Sequence, residues 1–486
     1  EPPGAGAEPP PGGAAQGDAA QVEDVLEILC SLICSVLQHL SNPRMRTICL
    51  DMLEQMAPFA PPGAILEQIV PYCHMLMTDP VAKVRARSIE ALPSILEHVA
   101  ELPPSDTPLF PEYLFPQLLS AMSDMGGEPV VLLAAAQNIG ALARHALRFA
   151  ELAAEAARLA GGRAGDQEHA QAPGVEQHGS PGRRGGTPPA PDAADAAGAE
   201  AESYDVQLKR IREAVKKVVK ALLECLPSGG QPGLERPSAE GDGGGGQEDL
   251  VLSLAMGRDV RIALLRSVCV LAETFGRDGT HNFLLPYVIS FLNDPAWEVR
   301  AAFCEEAARL PRHLGQVSTE GIVWPCYDQV LLLDQEERVL CAALGGLATL
   351  AAQRVLRRPS LENVAAKVAP LLVHPSCSIR SRTMEVLKTV GEQLSPVDRY
   401  VFLLPKVRPF LRFELFGLDA LDGALLPPLG RRTFKRSLLR RDEAVYEALL
   451  HKRPLPPAPG ERSEEDTQAL ELLRPYLQPL LARPTG

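Results

Sequence analysis

The stretch Phe291-Leu-Asn-Asp-Pro-Ala-Trp-Glu-Val-Arg-Ala-Ala-Phe-Cys-Glu-Glu-Ala-Ala-Arg-Leu-Pro-Arg-His-Leu-Gly315 reads as the end of one helix, a tight turn at Asp294-Pro295 and a second helix. A carboxylate at position 294 caps the new helix, and Pro295 suits the first helical position, where its missing N–H costs nothing. Val299, Ala302, Phe303, Ala307 and Leu310 recur at helical spacing, so one face of the second helix is apolar. The pattern then returns. Asp79-Pro80 is followed by Val84-Arg85, and His374-Pro375 by Ile379-Arg380; in all three copies the arginine stands six positions after the turn residue. Asp334 with Val339-Leu340 keeps the frame without the arginine, and Val260-Arg261 and Arg46 after Asn42-Pro43 add further copies. Positions 261, 300, 340 and 380 are 39, 40 and 40 residues apart, and Arg46 precedes Arg85 by 39. Two helices per unit at a period near 40 predict an all-α fold, an α-solenoid of HEAT-type hairpins with about seven to eight pairs.

Composition agrees. Aromatics make up 5% of the chain and hydrophobic residues 46%, which suits helices packed on helices. The net charge of −13 over 486 residues argues against a general nucleic-acid-binding role. The ten cysteines sit mostly on apolar helical faces (Cys30, Cys49, Cys269, Cys304, Cys341), with no framework of close pairs, as in a reduced intracellular protein. The stretch Ile28–Leu40 is taken as the longest apolar run; it is too short and polar to span a membrane, and no spanning segment is expected. Glu1–Gln21 is Pro/Gly/Ala-rich, with no initial Met and no signal pattern, so a disordered tail and an interior piece of a longer protein are expected.

In chain order, residues 22–160 carry three helix pairs. Residues 161–202 turn to Gly, Ala, Pro, Asp and Gln and are expected to be a disordered insert. Residues 203–416 resume the repeats, beginning with Tyr204–Cys225, with a second disordered insert at 227–248 inside one hairpin. Residues 417–486 are irregular, basic and then Pro-rich, with a final helix at Glu464–Leu481. A single hairpin leaves both flanks uncovered, so stability rests on neighbour-to-neighbour contacts and function on binding along a surface.

Chemistry is sparse. Neither a Walker nor a kinase-type Gly-rich loop is present, the Gly241–Gly246 run lacks a following Lys-Ser/Thr, and the histidines do not fall at metal-ligand spacing. No catalytic, cofactor-binding or metal residues are assigned. The recurring acids and arginines (Asp79, Arg85, Asp294, Arg300, Arg380, with Asp334) are read as a structural ladder between adjacent repeats, against the plainer reading of independent caps and solvated arginines. Arg431, Arg432, Lys435, Arg436, Arg440 and Arg441 form a basic cluster suited to an acidic partner or an anionic membrane, or else one solvated helix face.

Three segments carry a closer resemblance: Phe110-Pro-Glu-Tyr-Leu-Phe-Pro116, Ala136-Gln-Asn-Ile-Gly-Ala-Leu-Ala143 and Ala146-Leu-Arg-Phe-Ala-Glu-Leu152. With Ser290–Asp294, Leu371–Ile379 and the Pro-x-x-Arg-Arg-x-Phe pattern from Pro428 to Phe434, the chain resembles the central helical-repeat region of the regulatory scaffold subunit of class III phosphatidylinositol 3-kinase, from about Val22 to Leu450. That resemblance implies a rigid arch between a kinase-like domain and a β-propeller, neither of which lies in this chain. It further implies partners: the lipid kinase catalytic subunit and Beclin-type and accessory coiled-coil subunits. The implied setting is cytoplasmic, peripheral on endosomal and autophagic membranes through the complex, serving autophagy and vacuolar protein sorting. Two other classes fit helical repeats: a scaffold subunit of a serine/threonine phosphatase, and a transport receptor of the importin kind.

Overall fold

The computed structural model describes residues 13–103, 106–123, 127–168, 204–225, 246–413, 418 and 421–431. Among them every regular element is a helix, and the one β feature is an isolated bridge between Leu411 and Leu425. The fold is an all-α solenoid built of two compact units, the first taking the described residues up to Val260 and the second those from Arg261.

In the first unit, α1 (Gly13–His39) and α2 (Pro43–Met56) form the first hairpin. α3 (Pro62–Ala64, Ile65–Ile69 and Val70–Leu76) and α4 (Ala82–Glu97) form the second. α5 (Leu109–Leu114 and Phe115–Ser123) and α6 (Pro129–Glu168) form the third. α7 (Tyr204–Glu224) packs on α5 and α6 through Ile211, Val215, Val218, Val219 and Leu222. α6 runs on to Glu168, beyond Ala160 where the composition change suggested an end.

α8 (Gly246–Gly279) carries the chain into the second unit. There α9 (Thr280–Leu284, Leu285–Ser290, Phe291–Asn293) pairs with α10 (Trp297–Ala307). α11 (Gln316–Ser318, Thr319–Val323, Trp324–Leu333) pairs with α12 (Glu337–Ala352), and α13 (Arg358–Val368, Ala369–Val373) with α14 (Cys377–Gln393). α15 (Pro396–Asp398, Arg399–Leu403, Leu404–Val407, Arg408–Phe410) follows, then a single turn, α16 (Leu421–Ala424). Among the described residues beyond Phe410, Leu421 and Ala424 are fully buried and the Leu429 N–H donates to the Val373 carbonyl. Residues 432–486, with the expected final helix, lie outside the described residues.

Among the described residues, five of the helices that open a repeat share a device. Val70-Pro71, Phe115-Pro116, Leu285-Pro286, Trp324-Pro325 and Leu404-Pro405 each follow one π turn (Ile65–Ile69, Leu109–Leu114, Thr280–Leu284, Thr319–Val323, Arg399–Leu403). A proline inside a helix lacks its N–H and crowds the carbonyl four residues back; the wider turn makes room for the ring while the helix continues. Pro405 thus sits inside a continuous helical run.

Among the described residues one helix, α6, contains a stretch (Pro129–Ala156) long and apolar enough to cross a membrane, a longer apolar run than the one singled out by sequence. Val131, Ala135, Ile139, Ala143 and Ala150 are buried, and α6 packs on α4, α5 and α7, so it serves as a core helix of the first unit.

Near the junction to the next repeat the chain passes through a residue at positive φ: Gly276 (φ 66°), where α8 kinks, Gly315 (φ 78°) and Arg354 (φ 56°), at intervals of 39. An L side chain in that region costs about 1 kcal/mol. Arg354→Gly is therefore expected to stabilise the second unit by about that amount, read as a rise in unfolding midpoint; Gly315→Ala is expected to lower it.

Candidate functional site: the turn ladder and the repeat surface

The turns joining the two helices of each repeat carry the charged residues. Asp294 accepts the Ala296 N–H on Oδ1 at 2.9 Å, and α10 starts at Trp297, not at Pro295. The carboxylate thus closes a turn ahead of the helix instead of capping it directly, and Pro295 belongs to that turn. Asp79 does the same for Val81 N–H (2.8 Å) and Asp334 for Glu336 N–H (2.9 Å). Asn42 is the exception: it is a true cap, with Pro43 at the first helical position.

The second oxygen of each aspartate receives an arginine from the preceding repeat. Arg46 pairs with Asp79, Arg261 with Asp294 (2.9 Å) and Arg300 with Asp334 (2.6 and 3.2 Å, both nitrogens engaged). Each arginine also reaches sideways where it can: Arg300 donates to the Asp294 carbonyl at 2.8 Å, and Arg85 to the Asp79 carbonyl at 2.6 Å. Arg85, buried, meets Glu128 of the next turn at 3.6 Å. The Asp334 hydrogen bonds hold the Arg300 guanidinium even more firmly protonated than usual. The side chains of Arg300 and Asp334 are 18% and 7% exposed, so these pairs are shielded and bridge repeats.

Arg380 was grouped with this ladder, but its Nη1 donates to the carbonyls of His374 (2.7 Å) and Pro375 (3.0 Å) and to no described carboxylate. The spacing of 34 from Arg300 to Asp334 would place its partner at position 414, outside the described residues. One turn earlier the pair is replaced at both ends: Leu340 stands where the arginine would be and His374 where the aspartate would be. His374 Nδ1 accepts Ser376 N–H at 3.0 Å, so a neutral ring performs the turn-closing half of the aspartate's work. With Leu340 in the arginine's place, a carboxylate there would lack the pairing arginine that the preceding repeat supplies elsewhere.

That substitution makes the turn sensitive to acid. Burial pushes the His374 imidazole down to about 4, from an ordinary 6.5. The unfolded chain therefore takes up a proton below about 6.5 that the folded chain resists until about 4. The contribution is complete above pH 6.5 and is lost as pH falls through that window, by up to about 3 kcal/mol. The unfolding midpoint of the second unit is expected to fall between pH 7 and 5, and His374→Asn, which keeps an acceptor and cannot titrate, should flatten that slope.

Of the basic cluster, only Arg431 is described; it is exposed and lies 3.4 Å from Glu337. Arg432, Lys435, Arg436, Arg440 and Arg441 lie outside the described residues. Buried Cys34 and Cys73 have their thiols pushed up to about 12, and half-buried Cys269 to about 11, by burial, so these are packed thiols and poor nucleophiles. No group of three or more metal-ligating side chains occurs among the described residues.

The sequence reading missed an uncovered flank. Ile28, Leu32 and Val36 of α1 and Met45, Ile48 and Met52 of α2 are exposed, on the sides opposite buried Cys30, Cys34, Leu37, Leu50 and Leu53. Both helices of the first hairpin are thus apolar on two sides, which periodicity alone shows only as a long hydrophobic run. Terminal repeats of a finished stack normally present a polar outer face.

The family follows from comparison with known proteins. Residues 29–438 match the family described as PIK3R4-like, middle domain. The chain belongs to that family. Among curated relatives it is similar to the probable serine/threonine-protein kinase vps15 of Dictyostelium discoideum, 27% identical over 80% of this chain and 17% of that protein. It is also similar to the serine/threonine-protein kinase VPS15 of Arabidopsis thaliana, 28% identical over 84% of this chain and 24% of that protein. The chain therefore spans about a quarter or less of the length of these relatives. Among solved structures, the karyopherin Kap121p (TM-score 0.28, 14% identity, 80% of this chain and 40% of that one) and its complex with the SUMO protease Ulp1p (TM-score 0.30, 14% identity, 93% and 44%) are similar only weakly.

Proposed function

We propose that this PIK3R4-like middle region is the helical-repeat scaffold of the regulatory subunit of a class III phosphatidylinositol 3-kinase complex. It holds the lipid kinase catalytic subunit, with Beclin-type and accessory coiled-coil subunits, in fixed relative positions for autophagy and for endosomal and vacuolar protein sorting. Its place is the cytoplasm, peripheral on endosomal or autophagic membranes. Kinase activity named for the relatives belongs to those longer proteins, and the role read here for this stretch is positioning.

The observation that carries the reading is the family match over residues 29–438, in a chain whose described residues are stacked helices locked by buried ion pairs between repeats. Such locking fixes the geometry of whatever the repeats hold, which raises local concentration and sets orientation. The apolar flank of α1 and α2 suits attachment of a further folded element at that end of the first unit.

The test is capture of the purified chain by the class III lipid kinase catalytic subunit and, in parallel, by a serine/threonine phosphatase catalytic subunit. Retention by the lipid kinase alone is the expected result. Retention by the phosphatase alone would replace this reading with the phosphatase-scaffold one.

A further inference from the structure

In the second unit, the junctions that lead from one repeat into the next lie side by side along one edge. Arg277 sits beside Gly315, its guanidinium 3.2 Å from where a Cβ would stand. Gln353 donates to the Ala308 carbonyl at 3.2 Å, and Ser360 to Glu320 at 3.0 Å. Arg358 reaches Asp398 at 3.0 Å and stacks over Phe402. Four successive junctions, near residues 277, 312–320, 353–360 and 397–402, therefore form a continuous strip.

Two kinds of side chain project from it. Arg277, Arg312 and Arg354 are exposed, and none makes an ion pair or hydrogen bond through its side chain among the described residues. Between them stand exposed apolar tips: Val317 (67% exposed), Val397 (68%), Tyr400 and Val401. Arg354 adds a second argument. Its two counterparts in the preceding repeats are Gly276 and Gly315, all three at positive φ. An arginine there bears backbone strain, and its side chain makes no ion pair or hydrogen bond among the described residues in return. Strain retained without an internal polar partner points outward.

We propose that this edge is a contact for an anionic lipid surface. Guanidinium groups engage lipid phosphates, and the valine and tyrosine tips enter the boundary between headgroups and acyl chains. Apolar tips projecting from junction ends suit a broad, yielding surface better than an acidic peptide, which needs a groove to seat its backbone. In a chain of net charge −13, the strip also fixes which side can approach such a surface. The inference rests on the second unit alone and stands or falls apart from the lipid-kinase reading.

The test is flotation of the 486-residue chain with vesicles of phosphatidylcholine, alone or mixed with phosphatidylserine. The chain should float with the mixed vesicles, less so as salt rises. Arg312→Glu with Arg354→Glu should weaken binding by at least about fivefold per arginine. Val397→Ser, Tyr400→Ser and Val401→Ser together should weaken it at unchanged salt dependence. Arg354→Gly is the sharpest arm, because it should raise thermal stability while lowering vesicle binding. Equal binding to both vesicle types would overturn the proposal. So would unchanged binding by the edge variants, including the case where only reversal of Arg431, Arg432, Lys435, Arg436, Arg440 and Arg441 abolishes it. Capture by polyglutamate with no flotation would assign the strip to an acidic protein instead.

Discussion

Gly346→Ala should lower the unfolding midpoint of the second unit by about 6–12 °C, corresponding to about 3 kcal/mol. Gly346 lies on α12 where it passes closest to its neighbours: a Cβ there would stand 2.5 Å from the Tyr327 hydroxyl and 2.7 Å from the Cys304 carbonyl. Neither can yield cheaply. Tyr327 is fully buried and donates to that same carbonyl, so moving the ring leaves a buried acceptor unpaired, and the carbonyl belongs to helical backbone. The neighbouring residue supplies the control. Gly345 has nothing within 4 Å of its Cβ position, so Gly345→Ala should be neutral or raise the midpoint through better helix propensity. Two adjacent glycines on one helix are thus expected to respond with opposite signs. Equal responses would show that α12 does not approach α10 and α11 as described.

Asp294→Ala should cost about 3 kcal/mol, seen as a lower denaturation midpoint of the second unit. The substitution removes the acceptor that closes the turn at Ala296 and leaves the Arg261 guanidinium, 12% exposed, without its counter-charge. Arg261→Leu alone strands the carboxylate and should cost a similar amount. The double variant Arg261→Leu with Asp294→His is different, because it rebuilds the pair that the protein itself uses at Leu340 and His374. It should lose clearly less than the sum of the two single changes, a coupling of about 1–3 kcal/mol in a double-mutant cycle. Strict additivity would mean that the pair carries no stabilisation between repeats.

Much of this was legible in the chain. A period near 40, Asp-Pro and His-Pro turns, and an arginine six positions on placed the hairpins, because local turn chemistry and helical periodicity depend only on nearby residues. The resemblance carried by segments such as Phe110–Pro116 and Ala136–Ala143 also placed the chain in its family. Helix starts were harder to read: Asp294 was read as a cap, yet its carboxylate bonds the N–H of Ala296, one residue ahead of α10, a difference set by the turn's dihedral angles. The π turns had a visible signal in the recurring apolar-Pro pairs, which a search for helical periodicity passes over because proline reads as an interruption.

What sequence by itself determined was the unit: two amphipathic helices, the turn between them and the interval at which they recur, all fixed by contacts a few residues apart. Only the tertiary structure decided who meets whom from one repeat to the next. Among the described residues, Arg46, Arg261 and Arg300 reach forward to aspartates 33 or 34 positions on, Arg380 finds only carbonyls, and α1 and α2 keep an apolar side exposed. A side chain's spacing names its face, but its partner and its exposure depend on how neighbouring repeats pack, and that packing is a property of the assembled stack.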